Sequence, residues 1–445
     1  MRKKKQVKTR KFMCGGCIHI FRLWFVLVCT SIIGANLYSQ AKMATDYLSF
    51  SSQIDSIIAN AIDSMAFPGA QVLVAKGGEI VFEKAYGYHT YNQEIKVKLD
   101  HMYDLASITK VTTGLPLLMN LVAKGKIDLD KPISTYIPMW KRSNKADITI
   151  REILAHQAGL LPYIVYYAEA QDINGNWKKK TFKNKKNKKY SISITDSLFM
   201  HKKYHKKMSK RIRDTRMGDK NYKYSGLFFQ LLPKLIENIK GRPFLEILNR
   251  EIYHPIGVKG DLMYLPAERY PQEKIVPTEM DTLFRHQMVH GTVHDEAAAM
   301  WGGVSCNAGL FGNAKGLAQL FQVYLDNGRY KGRKFIDSTS IVNFTQCQYC
   351  DNDNRRGLGF DKPLLEFDEI LSTVAKDASR ESFGHSGFTG TLVWADPKHD
   401  LVYVFLSNRV YPTREQRHIY TMNVRPKIHQ VVYDYFVKEL DLREE

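Results

Sequence analysis

Cysteine is scarce in this chain, with six among 445 residues, and Cys14, Cys17 and Cys29 all fall in the first 41. That excludes a small scaffold stapled by disulfides. Cys306 stands alone. Cys347-Gln348-Tyr349-Cys350 is a single C-x-x-C with too few ligands nearby for zinc and no βαβ context for redox work. It reads as a loop with an optional disulfide. Internal repeats are absent too, which excludes solenoids and propellers. Acidic residues are missing from residues 1–41, which carry eight Lys/Arg. Long apolar runs are confined to the same stretch.

That leader has a basic head (Arg2 to Lys11), an apolar run from Leu23 to Ala35, and Ser39-Gln40-Ala41 with small residues where a signal peptidase reads. This is signal-peptide architecture, with an uncleaved N-terminal anchor as the alternative, and it predicts an exported, periplasmic or cell-envelope protein. The formal charge of +20 is uneven. Removing the leader's eight leaves +12, and residues 177–223 hold 18 Lys/Arg against Asp196, Asp214 and Asp219, an excess of 15. The rest is slightly acidic. A general nucleic-acid binder is therefore excluded, and the basic segment is a candidate contact with a membrane or cell-wall surface.

A chain of this length with 44% apolar residues suggests two domains or one large composite. Residues 54–65 read as a helix. Gln71–Ala75 and Glu79–Ala85 around Gly77-Gly78 read as a hairpin, as do Thr391–Trp394 and Leu401–Leu406 near the other end. Between them lie mostly helical patterns, including Ile148–Leu154 capped by Thr149, Leu227–Ile239 and Ala314–Leu325. Residues 427–440 read as a last helix. Asn174 to Lys189 reads as a mobile surface excursion, and Ser193 to Met208 as a helix. The expectation is an α+β arrangement with a discontinuous sheet domain (42–106 and 330–445). A mostly helical domain (107–329) would carry a basic insertion at about 171–223, and the site would lie in the cleft between them.

The chemistry starts at Asp104-Leu105-Ala106-Ser107-Ile108-Thr109-Lys110. Val111, Leu115, Leu118 and Val122 keep helical spacing, so Ser107 falls at a helix start, where backbone N–H groups favour negative charge. Lys110 lies one turn on, on the same face, and an amine beside a hydroxyl is one way to make an alkoxide nucleophile. Tyr224-Ser225-Gly226 precedes another helix, and a tyrosine near a lysine has the makings of a general base. Gly384-His385-Ser386-Gly387-Phe388-Thr389-Gly390 leads into the C-terminal strands, where glycines let a ligand approach and a backbone N–H face an oxyanion.

In this order and spacing the three segments resemble the serine β-lactamase and penicillin-binding-protein superfamily, closest to its class C β-lactamase, DD-carboxypeptidase and esterase branch. Phe67-Pro68-Gly69-Ala70, His156-Gln157-Ala158-Gly159-Leu160, Val293-His294-Asp295-Glu296 and Asn307-Ala308-Gly309-Leu310-Phe311 look like further family segments. The resemblance implies a β-lactamase-like fold with an antiparallel sheet flanked by helices. It implies Ser107 as acylated nucleophile, Lys110 and Tyr224 as proton carriers, and His385 in place of a more usual lysine. The backbone N–H groups of Ser107 and Phe388 would form the oxyanion hole, with Ser386 and Gly387 binding substrate. No cofactor and no metal are implied. The expected substrate is a cell-wall peptide of D-Ala type, a β-lactam or a small ester. One departure is Gly226, where the family usually has Asn or Asp. It carries the alternative reading, a non-catalytic or slowly deacylating penicillin- or wall-binding protein. His286, His290 and His294 recur every four residues and invite a zinc reading, but Gly291 breaks any helix there.

Overall fold

Two apolar runs with few polar interruptions, one near each end of the chain, build the central sheet. The computed structural model describes residues 45–439, so the leader lies outside the described residues. The sheet has five antiparallel strands: β1 (Gly69–Lys76), β2 (Glu79–Gly87), β3 (Phe383–Ser386), β4 (Leu392–Asp396) and β5 (Leu401–Ser407). Their order is β3-β4-β5-β1-β2. β1 and β5 pair in full register, from Ala70 opposite Ser407 to Lys76 opposite Leu401. Both are buried along almost their whole length, as expected of central strands covered on both faces. The positive φ of Gly77 and Gly78 closes the β1–β2 turn.

The helices that matter for the site are α1 (Leu115–Ala123), α2 (Tyr204–Asp214), α3 (Leu227–Lys240), α4 (Ala314–Leu325) and α5 (Val424–Tyr433). α4 lies against β1, β4 and β5, and its Leu317, Leu320 and Phe321 join the same apolar cluster as Leu73, Val393 and Val404. α3 ends where Gly241 adopts the left-handed conformation, and its buried face carries Phe228, Phe229 and Leu232. The short helix Ile150–Leu154 has a complete capping box between Thr149 and Glu152. Ile57–Glu445 forms one unit, and the described residues of Met1–Ser56 are helical. Among the described residues no helix is long and apolar enough to cross a membrane.

The basic insertion departs from its expected form. Its Ser193–Met208 stretch is two strands, Tyr190–Thr195 and Leu198–His201, and only Tyr204 onward is helical, in α2. With Phe182–Lys183 these strands make a three-stranded sheet. The alternation Tyr190-Ser191-Ile192-Ser193-Ile194-Thr195 has strand period, and the Leu, Phe and Met content beyond it disguised that. Buried Lys145 ties α2 down, donating to the Arg213 and Thr215 carbonyls at 3.1 and 2.5 Å.

Candidate active site

The backbone around Ser107 is held by a buried carboxylate. Asp104 sits in a short strand paired with Leu310–Gly312. Its Oδ1 accepts the Ala106 N–H at 2.8 Å and its Oδ2 the His294 N–H at 2.6 Å. Ala106 is thereby fixed with φ +46°, a left-handed geometry that costs a non-glycine residue about 1–2 kcal/mol. A 3₁₀ turn (Ala106–Ile108) and a π turn (Lys110–Gly114) follow before α1 begins at Leu115. The S-x-x-K segment thus lies ahead of the regular helix, whereas the spacing put Ser107 at the helix's start and Lys110 one turn on. Non-α turns of this kind recur at functional sites.

Lys110 is 2% exposed, and its ammonium donates to Ser107 Oγ at 2.9 Å and to the Asn307 carbonyl at 2.8 Å. Tyr224 OH reaches the same Oγ at 3.1 Å. A hydroxyl, an amine and a phenol from segments 117 residues apart therefore share one hydrogen-bonded centre. Loss of the Ser107 proton requires one of its two donors to act as base. The Tyr224 ring is sandwiched by charge and aromatics. The Lys110 ammonium and the Arg356 guanidinium each lie 5.2 Å from its centroid, and the His156 ring 4.5 Å. Arg356 is itself buried, donating from Nε to Tyr222 OH at 3.3 Å and lying 3.5 Å from Asp361. Burial pushes the His156 pKa well down, and the Arg356 and Lys110 charges push it further, so the ring is neutral.

The Gly387–Gly390 loop is docked on the nucleophile's own segment. Thr389 Oγ1 donates to the Asp104 carbonyl at 2.7 Å and Thr391 Oγ1 to the Leu105 carbonyl at 3.2 Å. A Cβ at Gly387 would stand 2.6 Å from Leu105 O and 3.3 Å from Ala106 Cβ, so only glycine permits this approach. Phe388, half exposed, and Ser107 then line one cavity of about 460 Å³. Asp295, Glu296, Ala308 and Arg414 form another part of its wall. Lys110, Tyr224 and His385 lie outside that lining.

His385 is buried, with its ring 6.0 Å from that of Tyr224. Burial first, then the Arg356 and Lys110 charges, hold its pKa down to about 3. The ring is therefore neutral, with Nδ1–H assigned as donor to the Ser386 carbonyl at 2.7 Å, and Nε2 is a buried acceptor with no partner among the described residues. It brings no positive charge to a substrate carboxylate.

Gly226 begins α3, and a Cβ there would meet only Asn307 Cβ, at 3.6 Å, an ordinary contact. The side chain missing from the second motif thus faces Asn307, whose own carbonyl already takes the Lys110 ammonium. Asn307 is pinned by Ser305 Oγ at 2.6 Å and by Asp295 Oδ1 at 3.1 Å. Sequence reasoning missed Asn307, Arg356 and Asp361 as neighbours of the centre, because nothing local ties them to Ser107. The histidine series does not converge. His290 Nε2 bonds the Ile275 carbonyl, and His294 Nε2 bonds Glu279 Oε2 at 2.6 Å. Burial alone would raise the Glu279 carboxyl, but His294 and Arg414 outweigh it and hold its pKa near 2.

A five-stranded antiparallel sheet, a Ser–Lys–Tyr centre whose lysine is buried and a glycine loop against the serine define a serine hydrolase of the β-lactamase-like class. The chain belongs to the β-lactamase family, whose sequence profile matches residues 54–424. A "Putative D-alanyl-D-alanine carboxypeptidase" of Salmonella enteritidis PT4 is 31% identical over 422 residues, covering 86% of this chain and 91% of that one. Among solved structures, a class C β-lactamase superposes with a TM-score of 0.60 at 15% identity, over 86% of this chain and 98% of the other. A penicillin-binding-protein homologue from Caulobacter crescentus gives 0.60 at 17%, over 87% and 97%.

Proposed function

We propose that Ser107 opens an amide or ester through an acyl-enzyme. The observation that carries this is the convergence of Lys110 Nζ and Tyr224 OH on Ser107 Oγ, at 2.9 and 3.1 Å. Oγ attacks the substrate carbonyl carbon and its proton passes to Lys110 or Tyr224, whichever is the base. The N–H groups of Ser107 and Phe388 receive the developing oxyanion. Collapse expels the amine or alcohol, which takes up a proton from the same pair. A water then attacks the acyl-enzyme and releases the acid.

The first substrate reading is a cell-wall peptide of D-Ala type, supported by the carboxypeptidase name that the Salmonella relatives carry. The neutral His385 favours a second, an ester without a terminal carboxylate. Assays of the full chain on a D-Ala-D-Ala peptide, a chromogenic cephalosporin and p-nitrophenyl butyrate decide between them. Turnover of the peptide supports the first reading, turnover of the butyrate alone the second. No turnover of any, with pelleting on peptidoglycan, would establish the non-catalytic alternative. The basic head and apolar run of the leader support export to the envelope, and a cytosolic protein retaining Met1 would refute it. The exposed lysines of the insertion support contact with an anionic envelope surface, for which pelleting on anionic vesicles at low and high salt is the test.

A further inference from the structure

A second cavity shares no wall residue with the one that Ser107 lines. It measures about 570 Å³ and lies behind β3, between Leu325 and the Ile341–Thr345 helical stretch on one side and the 362–365 and 380–383 segments on the other. That volume falls in the range of about 300–1,000 Å³ typical of small-molecule sites. Its wall is mostly apolar: Leu325, Ile341, Val342, Pro363, Leu365 and Phe383. Three cations, Arg355, Lys362 and Arg380, also line it, against one carboxylate, Glu381. Lys362 Nζ is spent on two neutral acceptors, the Glu381 and Ser382 carbonyls at 3.2 and 3.1 Å. Arg380 likewise donates to the Leu364 and Leu365 carbonyls at 2.8 and 2.5 Å. Among the described residues neither forms an ion pair.

An apolar chamber whose lining carries three cations against one carboxylate suits an apolar ligand with an anionic end. We propose that this cavity binds an amphipathic carboxylate, with its acyl chain among Leu325, Ile341 and Val342 and its anionic head between Lys362 and Arg380. The third cation connects it to the catalytic side. Arg355 holds Asp361 at 2.9 Å, Asp361 lies 3.5 Å from Arg356, and Arg356 stands over the Tyr224 ring. Burial lowers the Lys362 pKa to about 8 against the opposing pull of the Glu381, Asp396 and Asp361 carboxylates, so the head group is held more weakly as pH rises past that value.

The site does not depend on the function proposed for Ser107. Titrating the full chain with decanoate and with decanol, by calorimetry at pH 7, tests it. One decanoate is expected per chain, bound about tenfold or more tighter than the uncharged alcohol, and the preference is expected to vanish in Lys362→Met/Arg380→Ala. Val342 lines the chamber and is 59% exposed, so Val342→Trp adds bulk at its wall and is expected to abolish binding. Equal affinity for acid and alcohol, binding unchanged in Val342→Trp, or binding lost when Ser107 is capped by a fluorophosphonate would each overturn the assignment.

Discussion

Lysines occur in two settings in this molecule, and they do opposite things. In the insertion, Lys178 to Lys189 contribute eight cations, and all are exposed. Ion pairs there are few: Arg211 with Glu169, Arg213 with Asp214 and Lys220 with Glu152. Charge of this kind is spread out, hydrated and screened by salt. At the site, one ammonium, Lys110, is buried between Ser107 Oγ and the Asn307 carbonyl, with the Arg356 guanidinium 5.2 Å from the ring of the phenol that shares that Oγ. The lesson is that counting charge finds the first setting and misses the second. A single desolvated cation acts on its neighbours far more strongly than eight in water.

Substitutions sharpen the contrast. Lys110→Met is expected to have the largest effect, a loss of about 10³-fold or more in kcat with the fold retained, read by turnover and thermal denaturation. Tyr224→Phe removes the phenol proposed as the other proton carrier and is expected to cost about 10²–10⁴-fold. Arg356→Lys keeps the charge but loses the planar fork against Tyr222 and Asp361. We expect about tenfold in kcat with KM little changed. Gly226→Asn is smaller still: the new Cβ meets Asn307 Cβ in ordinary contact, so activity should change by less than about tenfold. Losing three exposed lysines together (Lys185, Lys186 and Lys188→Ala) is expected to leave turnover unchanged and stability within about 0.5 kcal/mol. If that triple variant were as impaired as Lys110→Met, the contrast would collapse.

The same comparison has a pH form. His385 has a pKa near 3 in the folded chain against an ordinary 6.5. Below 6.5 the unfolded chain takes up a proton that the folded chain refuses, so stability falls as pH drops from 6.5 toward 3. Buried His429, also near 3 and accepting the Ala375 N–H on Nδ1, adds to that slope. The melting temperature should fall steadily over that window, less so in His429→Gln. The pH–rate profile should show no inflection near 6.5 belonging to His385.

How far the sequence carries follows from the range of each signal. The two hairpins, the capped helix at Thr149 and the stop at Gly241 are written in adjacent residues, and they appear where local chemistry placed them. Ser107 and Lys110 are three apart, so their partnership is also local. Tyr224 and the Gly387 loop needed a family likeness to be joined to them. Arg356 and Asp361 follow the disulfide-bonded Cys347–Cys350 loop and carry no local mark. Long-range bonds bring them to the tyrosine: Asp361 pairs with Gly384 of β3, the Gly359 N–H bonds the Leu154 carbonyl, and Asn354 bonds the Ala155 carbonyl. The insertion shows the reverse failure, since its charge was plain while its strand alternation went unread.

The central claim is that Ser107, and no other hydroxyl, is the nucleophile of the Lys110–Tyr224 centre. Incubating the full chain with a fluorophosphonate or a fluorescent penicillin and mapping the adduct by peptide mass spectrometry tests it directly. The account predicts a single adduct on the peptide holding Ser107, absent in Ser107→Ala and slowed in Lys110→Met. An adduct on a different residue, or labelling of Ser107→Ala as strong as that of the parent chain, would contradict it.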